Sequence, residues 1–131
     1  MNNMDQKTTA EPTLFEKIGG KNAVDLAAIR LYYHISEDDR INKFFENVDM
    51  RKQSTKMTAF LTCIFGGPYL YTGWNMRKSH KDVVSRGLDD EHLDAILENV
   101  HITLNEMGIE QDLQKQVLAK LEKHRNDVLC R

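Results

Sequence analysis

Much that would assign a chemistry quickly is missing from this chain. Only two cysteines, Cys63 and Cys130, occur in 131 residues, and neither sits in a C-x-x-C pair. That excludes a disulfide framework and a cysteine-built zinc site, and makes a reducing, cytoplasmic setting the simpler expectation. No apolar run approaches the roughly 18 residues of a membrane span. Met1–Pro12 lacks the apolar stretch of a secretory signal and reads as a disordered tail, residues 1–12, ahead of one domain at 13–131. An excess of charge of one sign is also absent: 18 Lys and Arg face 20 Asp and Glu, a net −2. The whole chain therefore offers no electrostatic footprint for nucleic acid or an anionic membrane, and its size permits a monomer. There is no phosphate loop, dinucleotide fingerprint, nucleophile elbow, zinc helix or EF-hand loop. Internal repeats and low-complexity stretches are missing as well.

Proline is scarce, with only Pro12 and Pro68, and glycine falls at corners: Gly19-Gly20, Gly66-Gly67, Gly73, Gly87 and Gly108. Such punctuation separates helices. Thr13 and Glu16 form the spacing of a capping box, which opens a short first helix ending at the double glycine. Val24, Ala27, Ala28, Leu31, Tyr32 and Ile35 recur at helical steps and predict a helix from about Asn22 to Ile35. An acidic start at Ser36–Asp39 leads a short turn carrying Ile41, Phe44 and Phe45. Met50, Gln53, Met57, Phe60 and Ile64 alternate steps of three and four, one face of one helix. Tyr69–Trp74 reads as irregular, and Met76, His80 and Val83 or Val84 form a short face broken at Gly87. Leu93 to Met107 and Leu113 to Val128 complete two longer helices. No alternating strand pattern is present, so the fold class is all-α, with four main helices.

The informative residues interrupt these apolar faces. Tyr32, Gln53, His80 and His124 sit on them, and Lys56 flanks one. Buried polar groups need partners, so together they suggest a polar-dotted cavity. Each also has a plain reading: a hydrogen-bonded core histidine, a solvated glutamine, a snorkelling lysine, a core tyrosine. Met57 and Phe60 on their own read as core.

In order along the chain, several segments resemble the group I truncated haemoglobins, particularly cyanobacterial members. Leu14-Phe15-Glu16-Lys17-Ile18-Gly19-Gly20 is similar to the family's opening helix and glycine corner, and Leu31-Tyr32-Tyr33 to its distal tyrosine segment. Phe44–Met50, Phe60-Leu61 and Gly66-Gly67-Pro68 resemble the distal helix and its flanks, and Tyr71–His80 the proximal segment. The resemblance implies a two-over-two helical sandwich around haem b, with His80 as proximal iron ligand and Met76 beside it. It places Phe45 and Phe60 against the distal side of the haem, with Tyr32 and Gln53 as hydrogen-bond donors to a ligand. Met57 stands where a second glutamine is common, and methionine cannot donate. Lys56 occupies a position that, in the family, either supplies an internal sixth iron ligand or pairs with a haem propionate. Ligation needs a neutral amine, whereas pairing keeps the charge. His124 resembles the last-helix histidine that bonds covalently to a haem vinyl group.

The implied function is binding of O2, NO and CO at the iron, serving NO dioxygenation or oxygen binding. An unidentified external reductase is needed, since no flavin or nicotinamide motif is present. Tyr32 and Gln53 are the expected catalytic residues. The alternative is a six-coordinate redox or sensing globin with Lys56 on the iron. A third reading is a haem-free helical interaction domain.

Overall fold

A computed structural model describes residues 12–46, 49–67 and 73–131, with the side chains of Met50 and of residues 73–76 outside that description. The expected tail at 1–12 therefore lies, but for Pro12, outside the described residues. Among the described residues there are seven helices and one 3-10 turn, and no strand. These are α1 (Leu14–Lys17), α2 (Gly20–Ser36), the turn Asn42–Phe45, α3 (Met50–Ile64), α4 (Gly73–Ser85), α5 (Asp90–Glu106), α6 (Gln111–Lys123) and α7 (Arg125–Val128). The all-α expectation holds.

The capping box forms at the head of α1. The Glu16 amide donates to the Thr13 hydroxyl at 3.2 Å, and Glu16 accepts from the Thr13 amide at 2.9 Å. Gly19, at φ +119°, supplies the left-handed residue that turns the chain into α2. That helix begins at Gly20, two residues earlier than its apolar pattern indicates. The second glycine corner is needed for space. A Cβ on Gly67 would stand 2.7 Å from Thr62 Cγ2 and 2.9 Å from the Phe15 ring. There α1 docks on the end of α3, with the Phe15 amide donating to the Phe65 carbonyl at 2.7 Å.

Helix α2 packs on α3 and α5, α5 on α6, α4 on α7, and α1 on α2 and α6. The core between them is apolar, with Val24, Ile35, Ile41 and Val117 among its most buried members. Burying one such side chain contributes about 1.5–3 kcal/mol. Asn99 is buried but satisfied: its amide donates to the Ala95 carbonyl and to Asp38, each at 2.9 Å. None of the described helices is long and apolar enough to cross a membrane.

Two expectations change. Trp74 is the second residue of α4, so the stretch read as irregular is shorter than its residue types suggest; Tyr69–Thr72 lie outside the described residues. The last helix does not run through to Val128. It stops at Lys123, His124 takes φ −100° and ψ 8°, and α7 sets off separately to pack on α4. Apolar periodicity does not register such a break, because Leu121, His124 and Val128 keep their spacing through it.

Candidate functional site

Tyr32 is one of six buried residues of α2, and its ring meets that of Phe45 edge-on, with centroids 5.6 Å apart and planes at 72°. Burial pushes its hydroxyl pKa up to about 12, so near neutral pH it is an undissociated donor. Among the described residues, no hydrogen-bond partner meets that hydroxyl. The hydroxyl is therefore available to donate to a ligand placed beside it.

Asp49 organises the start of α3 by accepting from the amides of Arg51 and Lys52, at 3.0 and 3.4 Å. The helix then carries Gln53, Met57 and Phe60 at steps of four and three, so they share a face. All three are half-buried, and Met57 and Phe60 pack on the core. The Gln53 amide makes no side-chain hydrogen bond among the described residues. Lys56, between Gln53 and Met57, is exposed and has no anionic partner among those residues. Since α2 packs on α3, one wall unites an aromatic pair, a thioether, and two polar groups with unused hydrogen-bonding capacity.

A second set of residues comes from α4 and the joint before α7. His80 is half-buried in α4. His124 is half-buried at the α6–α7 joint, and desolvation holds its imidazole below the usual histidine range, which favours the neutral ring. Met76 lies in α4, but its side chain is outside the described residues.

Sequence reasoning missed what positions α4. Arg77 pairs with Asp127 at 3.3 Å and donates to the Arg131 carbonyl, while Cys130 Sγ donates to the Arg77 carbonyl at 3.3 Å. These partners lie far apart in the chain, and no local pattern marks them. A second unforeseen group ties the corner after α2 to α5. Arg40 holds Asp38 at 2.7 Å and Glu98 at 3.2 Å, and keeps the Asp38 carboxyl well below its ordinary pKa. His34 and His92 take boundary roles. His34 lies 2.8 Å from Glu106, and His92 Nδ1 accepts from the Asp89 amide at 3.0 Å to close a capping box on α5.

Residues 13–130 match the bacterial-like globin family. The chain is 48% identical over 120 residues to the group 1 truncated haemoglobin GlbN of Synechocystis, covering 89% of this chain and 97% of that protein. It is 38% identical over 117 residues to the group 1 truncated haemoglobin of Tetrahymena pyriformis, covering 89% and 94%. Among solved structures, it superposes on the 2/2 haemoglobin of Synechococcus, in the cyanomet state and with covalently attached haem, with a TM-score of 0.85. That pair is 45% identical, and the match covers 92% of this chain and 100% of the other.

Proposed function

The chain belongs to the bacterial-like globin family, whose members bind haem, and from that premise we propose that it holds haem b and binds O2, NO and CO. The observation that carries this reading is the buried Tyr32 side chain, its ring edge-on to Phe45, on the helix that packs against the one bearing Gln53, Met57 and Phe60. Its residues suit the cofactor. The flat rings of Phe45 and Phe60 and the adaptable thioether of Met57 suit a macrocycle, and a half-buried imidazole at His80 suits iron. Met76 stands four residues before His80 in α4, and we assign it to the pocket with His80.

When bound, haem supplies a site for diatomic ligands and one-electron chemistry. The protein's part is then one of donors and exclusion. Tyr32 donates its proton outward without losing it, because burial opposes ionisation. Gln53 adds an amide donor, while Met57 contributes bulk and polarisability but no hydrogen bond. Donors held in place for a partly negative ligand slow its release. The net reaction we assign is NO plus O2 plus one electron to nitrate, with the electron coming from a separate reductase.

Lys56 is exposed while Gln53 and Met57 beside it are half-buried. That favours a rim position, paired with a haem propionate and still charged, over an internal sixth ligand. A ferric spectrum whose low-spin component disappears in Lys56→Ala would reverse the assignment. His124 is the residue we propose for attachment to a haem vinyl group, since a neutral imidazole has a free nitrogen lone pair for the new bond. Mass spectrometry of acid-denatured holoprotein reads this directly, and loss of the haem mass on unfolding rules it out.

Absorption spectra of ferric and ferrous protein, with and without CO, test the main reading. A Soret band that shifts with CO is expected. A protein with no Soret band after hemin addition would return the chain to a helical interaction domain. Nitrate formed over many turnovers with a supplied reductase is the result expected for an enzyme, and a single stoichiometric oxidation counts against it.

A further inference from the structure

Helix α2 is apolar on two sides. Inward it buries Val24, Ala28, Leu31 and Ile35. Outward it shows Leu26, Ile29 and Tyr33, which are 43%, 60% and 63% exposed. Steps of three and four place them in one stripe. They are three of the four large hydrophobic residues exposed among the described residues. The fourth, Ile102, is 44% exposed on α5. It lies midway between Glu98, which pairs with Arg40, and Glu106, which pairs with His34, and so on the edge of α5 that meets α2. Single exposed hydrophobics need no explanation, but a contiguous row does, because a second apolar face on one helix is ordinarily covered.

The stripe borders a concavity of about 420 Å³ formed by Leu26, Ile29, Arg30, Tyr33, His34 and Glu106. Within it Arg30 stands 3.6 Å from Glu106, both partly exposed. The patch therefore carries one charge of each sign in an apolar surround.

We propose that this outer face of α2 is a two-fold interface between two copies of the chain. The charge pattern selects that occupant. A patch of one sign repels its own copy, whereas a two-fold axis across α2 sets Arg30 of each copy against Glu106 of the other. The same operation lays the stripe of Leu26, Ile29 and Tyr33 on its counterpart and removes it from water. Tyr32 faces inward from the next position, so the interface leaves the candidate pocket untouched and does not depend on the haem reading.

Sedimentation velocity of the full chain across a concentration series tests the proposal. The expected result is a reversible monomer–dimer equilibrium. Ile29→Asp weakens it at least tenfold while far-UV circular dichroism and the thermal midpoint are retained, because that side chain is largely exposed. Arg30→Glu and Glu106→Arg each weaken it similarly, since each variant repels itself. Mixed in equal amounts, those two variants associate again, because the mixed pair aligns opposite charges at both contacts. Repair of the pair within each chain cannot produce that rescue. Wild type that stays monomeric throughout the series overturns the proposal, as does a mixture that associates no better than its components.

Discussion

Helix α2 buries Val24, Ala27, Ala28, Leu31, Tyr32 and Ile35, whereas no side chain of α4 from Arg77 to Ser85 is fully buried. The first is held by burial against α3 and α5. The second packs on α7, sets the partly buried Val83 and Val84 against the core, and is further tethered through Arg77, Asp127, Cys130 and the Arg131 carbonyl. Yet each carries half of the candidate site, Tyr32 on α2 and His80 on α4. Burial is indifferent to direction and survives small shifts. Polar tethers are directional and individually weak in water. The helix that offers donors is therefore held by full burial, while half-buried contacts and polar tethers together orient the helix that carries the imidazole.

The largest expected effect comes from the half-buried helix, at its functional residue. His80→Gly should abolish stable haem ligation while leaving helical content intact, and added imidazole should restore an axial bond. Absorption spectra read both steps, and an iron environment unchanged by the substitution would remove His80 from the site.

Next in size is a paired truncation. Ile35→Ala on α2 should cost about 2–5 kcal/mol in urea unfolding, as for a buried aliphatic residue cut to alanine. Val83→Ala on α4, at a partly buried position, should cost about 1 kcal/mol or less. Equal losses would erase the contrast between the helices.

A third test uses pH. The Tyr32 hydroxyl is raised from 10.0 to about 12 in the folded state. The folded chain therefore holds this proton more tightly than the unfolded chain. The associated stability is complete below pH 10 and is lost as pH rises through about 12. Tyr32→Phe should flatten that alkaline slope in pH-dependent thermal denaturation. A slope equally steep in the variant would assign it to other groups.

The smallest effect concerns the tether. Asp127→Asn should change global stability by about 1 kcal/mol or less, since its pair with Arg77 is partly solvated. Amide exchange should nevertheless quicken in α4 and stay unchanged in α2. Uniform acceleration across both helices would mean that the tether acts on the whole fold.

Where capping and apolar spacing decide the outcome locally, the structure largely follows the reading; Gly73 and Trp74, read as irregular from their residue types, instead open α4. The Thr13–Glu16 box forms, α3 runs from Met50 to Ile64 with Gln53, Met57 and Phe60 on one side, and Gly19, Gly66-Gly67, Gly87 and Gly108 fall between helices while Gly20 and Gly73 open α2 and α4. Helical periodicity and capping are local properties, so a linear pattern carries them. The break at His124 escaped because the apolar spacing continues across it, and only the packing of α7 on α4 gives the break a purpose. The Arg77 clamp escaped because its partners join it only when the chain closes on itself.

By itself the sequence determined an all-helical chain, the order of its elements, and the residue types available for a haem pocket. Tertiary structure alone decided that Tyr32 is desolvated beside Phe45 and that α4 rests on the C-terminal residues. It also decided that Leu26, Ile29 and Tyr33 remain in water on a helix already apolar on its other side. The reason is physical: periodicity says which side chains share a face, but burial, and with it the pKa and the need for a partner, depends on what packs against that face.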